Sequence, residues 1–194
     1  MPLTAGQMRA LALLSKVRPE TPVPLFLITD PNKDPDDLSV LVISKYLHEH
    51  GFIDLRCVVT TLGNRETRRR RARFVKSVLN DLGLLETRVG VGVDYAFAVR
   101  NREGNVDAAA TAGRERDHAV FVETPLLREV GVEDDGQQLL QQELQRVEDR
   151  SAVLLVVAGM TDAAFLLRNQ GELVRQKARQ VVIMGGVETN ADER

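Results

Sequence analysis

The chain has 194 residues, with 28 acidic and 26 basic side chains, three His, one Cys and no Trp. This length fits one domain with its own apolar core, and a single Cys excludes a disulfide framework within the chain. The net charge of -2 and the aromatic content of 4% argue against a nucleic-acid-binding protein that depends on bulk positive charge or on base stacking.

The first 20 residues predict an N-terminal helix or extension. A short apolar stretch at 10–14 lacks the basic segment before it and the small-residue cleavage site after it that a signal peptide needs. No apolar run in the sequence approaches the roughly 18–20 residues of a membrane span. We therefore expect a cytoplasmic protein without a membrane partner.

Short apolar segments rich in β-branched residues alternate with segments of helical periodicity along the rest of the chain. The predicted strands are 25–28, 55–61, 89–93, 152–157 and 180–184. The predicted helices are 38–47, 66–82, 137–147 and 162–173, and the polar stretch 100–116 is predicted to be a long loop. This alternation predicts one α/β domain over 1–194, with a mostly parallel, Rossmann-like sheet and helices on both faces.

Four carboxylates crowd the segment that follows the first predicted strand, where ligands of parallel sheets bind. They are Asp30, Asp34, Asp36 and Asp37. Like charges gathered this closely indicate a cation site or a catalytic site. The alternative is a cluster that caps the next helix, and both interpretations stay open on spacing alone. An EF-hand loop does not fit, because Pro35 and Leu41 stand where that loop needs Gly and Glu.

Polar or glycine-containing turns follow other predicted strands as well. Gly63 and Asn64 follow the second strand, residues 158–162 follow the fourth, and Gly185 and Gly186 follow the fifth. Glycine permits a tight turn or a close approach of backbone to a ligand, and the Asn64 amide offers both a donor and an acceptor. Each turn alone is common, but their repetition at successive strand ends indicates a ligand site.

These segments, in this order, resemble the nucleoside hydrolase family, the inosine-uridine-preferring N-ribohydrolases. The matching segments are Asp30-Pro31 with Asp36-Asp37, Thr60-Thr61-Leu62-Gly63-Asn64, Gly159-Met160-Thr161-Asp162 and Met184-Gly185-Gly186. The resemblance implies a Ca²⁺-dependent hydrolase that cleaves the N-glycosidic bond of a nucleoside-like small molecule.

The resemblance also implies a role for particular residues. Asp30 and Asp37 would bind the calcium ion together with the backbone carbonyl of Ala158. Asp30 would also take a proton from the attacking water, while Asp36 and Asn64 would contact the ribose. A bound cation lowers the pKa of its water and orients hydroxyl groups, and carboxylates stabilise an oxocarbenium-like transition state.

The sequence departs from the family pattern in several places. Ile28 stands where the family has its first Asp, and Asp162 stands where the family prefers Asn. The family's later Glu-Phe-Asn segment and His-Asp pair have no counterpart, which predicts a divergent, C-terminally shortened member. The alternative function is therefore a non-catalytic binding or interaction module that keeps a partial metal site. A homo-oligomer stays an option.

The remaining reactive side chains are interpreted as structural. The arginine run 68–71 with Arg73 predicts a solvated helix face rather than a nucleic-acid patch, because the whole chain is slightly acidic. His48, His50 and His118 are predicted to be surface residues, and Cys57 a small core residue.

Overall fold

A computed structural model of the protein describes residues 4–32, 34–94, 105–121 and 123–185. Its strands are β1 (Val23–Thr29), β2 (Ile53–Thr60), β3 (Arg88–Val91), β4 (Ala152–Val156) and β5 (Ala178–Ile183). They form one five-stranded sheet in the order β3-β2-β1-β4-β5, and each neighbouring pair is parallel. This confirms the predicted parallel, Rossmann-like α/β sheet.

Six helices lie within the described residues. They are α1 (Ala5–Lys16), α2 (Pro35–Glu49), α3 (Arg65–Asp81), α4 (Ala108–His118), α5 (Gly136–Gln145) and α6 (Thr161–Lys177). The first of them, α1, begins with a capping box between Thr4 and Gln7 and buries none of its residues. No helix of the described ranges is both long enough and apolar enough to cross a membrane.

The segment predicted to be a long loop contains a helix, so that part of the prediction is wrong. The helix α4 follows Asp107, whose carboxylate accepts a hydrogen bond from the Ala110 N–H at 2.9 Å. Three consecutive alanines at 108–110 add the highest helix propensity of any residue. The prediction relied on the missing apolar periodicity, whereas capping and propensity favour the helix. Residues 100–104 of the predicted loop lie outside the described residues.

The sheet separates two apolar cores, because successive side chains of a strand point to opposite faces. Phe26 and Ile28 of β1 lie in the core that α5 and α6 cover, together with Leu140 and Leu166. Leu25 and Leu27 lie in the opposite core, which α2 and α3 cover. The central strand β1 is therefore buried on both faces, which explains its continuous apolar sequence.

The direction in which strands are added to the sheet reverses between β1 and β4. From β1 the chain builds β2 and β3 on one side, and it later builds β4 and β5 on the other. Connections that leave in opposite directions open a crevice beyond the carboxyl ends of the two strands. Asp30 follows β1 directly, and Ala158 lies two residues beyond β4. Both residues therefore belong to this crevice, which we call the switch-point crevice.

The edge strand β5 has the composition of an interior strand. Only Ala178 of its six residues is buried, and Val182 and Ile183 expose 37% and 49% of their surfaces. Val182 pairs in register with Leu155 and Ile183 with Val156, so the two exposed side chains point to opposite faces. Edge strands usually carry charges or bulges that prevent further pairing. The β5 edge instead presents apolar side chains on both faces.

A lysine on the β5 edge should reduce self-association of the protein. We expect Ile183→Lys to lower both the fluorescence of an apolar dye and the average mass at high concentration, because a charge opposes strand pairing and apolar contact. Dye titration and sedimentation velocity measure these effects. Gln180→Lys, at an exposed polar position of the same strand, is the matched control. Identical behaviour of Ile183→Lys and the wild type would show that this edge does not drive association.

Candidate functional site at the switch-point crevice

Asp37 is the buried carboxylate of the acidic loop. Its side chain lies in the first turn of α2, which begins at Pro35, and the residue is only 3% exposed. Its Oδ1 atom accepts hydrogen bonds from the Thr29 hydroxyl and from the Asp30 N–H, the latter at 3.2 Å. These bonds fasten the start of α2 to the end of β1.

The surroundings of Asp37 act on its charge in opposite directions. Burial raises the pKa of the Asp37 carboxyl above its ordinary value, because the charged form loses its hydration. The hydrogen bonds from Thr29 and Asp30 and the positive charge of Arg71 lower this pKa, whereas the neighbouring Asp36 raises it. Since burial has the largest effect, the ionised form of the Asp37 carboxyl is destabilised. A cation close to the carboxylate would stabilise the ionised form.

The other acidic residues of the loop differ in exposure and bonding. Asp30 is half-buried at the end of β1 and interacts electrostatically with Arg71. Asp34 and Asp36 are exposed, and Asp34 makes no side-chain hydrogen bond to the helix that it precedes. Asp37 bonds to β1 rather than to an N–H group of its own helix. Helix capping alone therefore does not account for the cluster. This favours the interpretation of the four carboxylates as part of a ligand site.

The turn after β2 contains two residues in the left-handed region. Leu62 has φ 62° and Gly63 has φ 80°. A Cβ atom at Gly63 would lie 2.6 Å from the His118 carbonyl oxygen, so both the backbone angle and the close approach require glycine. Asn64 is exposed and caps α3, with its Oδ1 accepting from the Thr67 N–H at 2.8 Å. The predicted sugar contact of Asn64 would then use its amide nitrogen.

The turn after β4 lies against the turns of the two central strands. The Val157 N–H donates to the Ile28 carbonyl at 2.9 Å, so pairing of β1 and β4 continues up to the residue before Ala158. A Cβ atom at Gly159 would lie 2.7 Å from Leu62 Cδ2, which shows how closely the β2 turn leans on the β4 turn. Three turns therefore meet at the switch-point crevice.

The structure brings most of the predicted site residues to one end of the sheet. Asp30, Asp37 and Ala158 lie around the switch-point crevice, while Asp36 and Asn64 are exposed at the starts of α2 and α3. The ends of β1 and β2 are aligned by the bond from the Thr61 N–H to the Thr29 carbonyl at 3.0 Å. The exposed Gly185 follows β5, and Gly186 lies outside the described residues.

The protein atoms available to a cation at this crevice are oxygen atoms, the donors that calcium prefers. They are the carboxylates of Asp30 and Asp37 and the carbonyl of Ala158. In the described part of the chain, no group of three or more His, Cys, Asp or Glu side chains is arranged to hold a metal ion. The donors therefore fit calcium in kind, but they would give it only three of its roughly 6–8 ligands, so a bound molecule and water would have to supply the rest.

Two arginines of α3 are buried, so the prediction of a solvated face is wrong for them. Arg71 is 0% exposed, and its Nη1 donates to the carbonyls of Thr61 and Leu62 at 3.0 and 2.9 Å. Arg68 is also buried and donates to the Gly63 carbonyl at 2.6 Å. A buried carbonyl oxygen needs a hydrogen-bond donor, and the two guanidinium groups supply donors to this turn. Charge alone did not reveal this requirement in the sequence.

The other arginines of the run fasten the segment after α4 to α3. Their ion pairs are Arg69–Asp134 at 2.7 Å, Arg70–Glu123 and Arg73–Glu129 at 3.0 Å. The Arg70 guanidinium also lies 4.4 Å from the centre of the Phe121 ring. These arginines of α3 therefore form mainly ion pairs and ring contacts within the chain.

Asp162, which the sequence marked only as a departure from the family pattern, is fully buried at the start of α6. Its Oδ1 accepts hydrogen bonds from the Val93 N–H at 2.8 Å and from the Gln137 side-chain amide at 3.0 Å. A Cβ atom at Gly92 would lie 2.5 Å from its Oδ2. Asp162 thus ties the β4 turn to the end of β3 and to α5, and these distant contacts gave no local signal in the sequence.

An open cavity with a volume of about 480 Å³ lies at the opposite end of the sheet, at the amino ends of β2 and β3. Its lining includes the buried Glu143, which accepts hydrogen bonds from Arg56 and Arg88 at 2.8 and 2.9 Å. Acidic residues around this surface balance the arginines. We assign it a structural ion-pair network, because ligands of doubly wound sheets bind at the carboxyl ends of strands.

No protein-family model and no curated protein matches the chain. Among solved structures, it is similar to the type III effector protein XopQ complexed with adenosine diphosphate ribose. The identity is 35%, the match covers 100% of this chain and 53% of XopQ, and the TM-score is 0.86. The effector protein XOO4466 is also 35% identical, with 97% of this chain and 51% of that chain covered and a TM-score of 0.84.

The fold also matches that of solved nucleoside hydrolases. The purine-preferring ribonucleoside hydrolase from Gardnerella vaginalis is 20% identical, with 84% of this chain and 49% of that chain covered and a TM-score of 0.57. The chain thus has a nucleoside-hydrolase-like fold, which confirms the resemblance at the level of the fold. Within that class it is more similar to the two effector proteins, and it spans about half the length of each of these solved structures.

Removing the Asp162 carboxylate should destabilise the protein. We expect Asp162→Ala to lower the free energy of unfolding by about 2 kcal/mol, because the N–H of Val93 and the amide of Gln137 lose their acceptor. Urea unfolding measures the loss. Asp162→Asn retains an oxygen acceptor, so its free energy of unfolding should fall by less. Equal stability of the Ala variant and the wild type would contradict the assigned role.

The buried Asp37 carboxyl should make stability depend on pH in a defined direction. Its pKa is higher in the folded than in the unfolded protein, so the folded state binds the proton more tightly. Stability should therefore fall as the pH rises from the ordinary Asp value, 3.8, through the raised folded pKa. Each unit of pKa difference is worth about 1.4 kcal/mol.

Urea unfolding of the wild type and of Asp37→Asn, in the presence of a chelator, measures this dependence. The Asn variant should gain stability relative to the wild type as the pH increases over that interval. Asp34→Asn, at an exposed position of the same loop, should show no such gain. A constant difference between Asp37→Asn and the wild type at all pH values would show that burial does not perturb this carboxyl.

Proposed function

We propose that the chain binds a nucleoside-like molecule through its ribose at the switch-point crevice and hydrolyses the N-glycosidic bond with the help of Ca²⁺. The observation that carries this proposal is the position of Asp30 and Asp37. The Asp37 carboxylate accepts a hydrogen bond from the Asp30 backbone N–H at the point where a doubly wound sheet binds its ligands. XopQ, at 35% identity, was solved with adenosine diphosphate ribose, which supports a ligand that contains ribose.

Each residue of the crevice has a proposed task. Asp30, half-buried at the end of β1, accepts a proton from the attacking water. Asp36 accepts hydrogen bonds from the ribose hydroxyls, and the Asn64 amide nitrogen donates to the sugar. Asp30, Asp37 and the Ala158 carbonyl would hold Ca²⁺, which would supply the positive charge that lowers the pKa of water. The carboxylates also stabilise the positive charge that develops on the ribose ring.

A binding module without turnover is the second candidate. The observation that favours it is the partial donor set, since the described residues offer two crevice carboxylates and no third acidic or His ligand. The leaving base must also be protonated or otherwise stabilised for hydrolysis. A binding module would hold the ribosyl ligand and release it unchanged.

Hydrolysis should depend on calcium and on the two crevice carboxylates. We expect the full chain to release free base from members of a nucleoside panel when Ca²⁺ is present and to lose this activity with a chelator. Asp30→Asn and Asp37→Asn should lower the rate by about 100-fold or more, because proton transfer and charge stabilisation are lost. Chromatography of the released base measures the rate.

The matched control is Asp34→Asn, which neutralises an exposed carboxylate of the same loop and should retain the activity. Calorimetric titration with adenosine diphosphate ribose separates the two candidates. Binding that Asp37→Asn abolishes, without release of base from any nucleoside, would support the binding module. A chain that neither binds nor hydrolyses would contradict both.

A further inference from the structure

We propose that a cavity at the carboxyl end of β3 binds a planar nitrogen heterocycle that carries an amino group. This β3 cavity has a volume of about 360 Å³, within the roughly 300–1,000 Å³ of small-molecule sites. Its wall comes from the end of β3, from the first turns of α3 and α5, and from α6. None of its lining residues belongs to the predicted ligand set, so the proposal goes beyond the proposed function and does not depend on the cation site.

Apolar side chains form one part of the wall of the β3 cavity. Val91 ends β3, Val93 follows that strand, and Phe165 lies on α6. Phe165 is 39% exposed, which leaves its ring accessible to a ligand. Aromatic side chains stack on planar heterocycles of any sequence of substituents, because every such ring has a π-face. This part of the wall therefore predicts a flat ring but does not select among rings.

The polar part of the wall depends on Asp162, which orients Gln137. The Gln137 side chain lines the cavity, and its Nε2 donates to Oδ1 and to the backbone carbonyl of Asp162 at 3.0 and 3.1 Å. Both bonds use the donor end of the amide, so its acceptor Oε1 is the end left for a ligand. Asp162 is fully buried and also accepts from the Val93 N–H at 2.8 Å, which fixes its position. Asp162 is thus a positioning residue that makes Gln137 an acceptor.

Further acceptors surround Gln137. Asp94 and Asp135 are exposed lining residues, and the structure uses Oδ1 of each, in an ion pair with Arg68 at 2.9 Å and in the cap of α5. A carboxylate has two oxygen atoms, so each still offers an acceptor. Among the described residues, no donor reaches Oδ2 of the buried Asp162, and a Cβ atom at the lining residue Gly92 would lie 2.5 Å from it. The negative charge of Asp162 therefore adds to this acceptor-rich wall.

A wall of acceptors beside an aromatic ring favours a flat ligand that donates hydrogen bonds. An amino group on a heterocycle supplies N–H donors at the edge of the ring. A carbonyl group at the same position would turn an oxygen atom toward Gln137 and the carboxylates and would leave acceptors unpaired. The acidic residues of the described chain are not arranged to hold a metal ion, so the ligand that fits is organic. Adenine and hypoxanthine, which differ by an amino and a carbonyl group at one ring position, are the matched pair of probes.

The test uses the fluorescence anisotropy of 2-aminopurine, an amino-substituted ring, with the full chain. The sequence has no Trp, which keeps the background emission low. We expect adenine to displace the probe at about tenfold lower concentration than hypoxanthine, because a hydrogen bond replaces a contact between two acceptors. Phe165→Leu should weaken probe binding about tenfold, since the stacked ring is lost. Leu167→Ala, at another exposed apolar position of α6 outside the cavity wall, is the matched control and should bind the probe like the wild type.

The role of Asp162 is tested by the ratio of the two affinities. Asp162→Asn keeps an oxygen atom for the Val93 N–H and presents an amide donor to Gln137, whose own amide can then turn its Nε2 toward the cavity. We expect the tenfold preference for adenine over hypoxanthine to disappear in this variant, with folding checked by urea unfolding. A merely structural role would weaken both affinities alike, and an unchanged ratio would therefore overturn the positioning role.

The location and the ligand class have their own contradicting outcomes. Equal affinity of the wild type for adenine and hypoxanthine, or absence of probe binding, would overturn the proposal. Unchanged probe binding by Phe165→Leu would show that the ring binds elsewhere. The titrations contain a chelator and no added Ca²⁺, so their result is separate from that of the calcium-dependent hydrolysis assay.

Discussion

The crevice depends on one buried carboxylate. Asp37 links α2 to β1 through the Thr29 hydroxyl and the Asp30 N–H, and it interacts electrostatically with Arg71 below the β2 turn. Because an unsatisfied or uncompensated buried charge is costly, these groups stabilise one another's positions. The end of β1, the start of α2 and the turn after β2 therefore form one electrostatic unit.

The sheet order gives this unit a place where a ligand can bind. The reversal between β1 and β4 opens the crevice, and Leu62 of the β2 turn lies close to Gly159 of the β4 turn. The left-handed backbone of Leu62 is uncommon for a residue with a side chain. Its carbonyl accepts a hydrogen bond from Arg71, which helps to hold this unfavourable backbone angle.

Much of the fold could be predicted from the sequence, because its strands are short apolar runs and its helices are amphipathic. The continuous apolar run at 152–157 predicted a strand buried within a parallel sheet, and the sheet confirmed it. The helix α4 was missed because alanine signals a helix through propensity and not through periodicity. The acidic loop was placed correctly at a strand end, since that position follows from strand order along the chain alone.

The contacts that organise the candidate site could not be predicted in the same way. The burial of Arg71 depends on hydrogen bonds to carbonyl oxygens of a left-handed turn, and the left-handed backbone of Leu62 in that turn has no signal in the residue type. The role of Asp162 depends on Val93 and Gln137, which approach it only after three separate elements have packed. Both cases involve buried polar groups whose partners are distant in the sequence.

The position of β1 at the centre of the sheet has a consequence for how the chain folds. Its partner on one side, β2, follows after a single helix, so that pairing closes a short loop. Its partner on the other side is β4, and the register of Leu25 with Val153 joins residues separated by the whole middle of the chain. Loop closure of that length is slow relative to local pairing. We therefore expect the strands β1 to β3 to assemble before β4 docks, and the docking of β4 to complete the crevice.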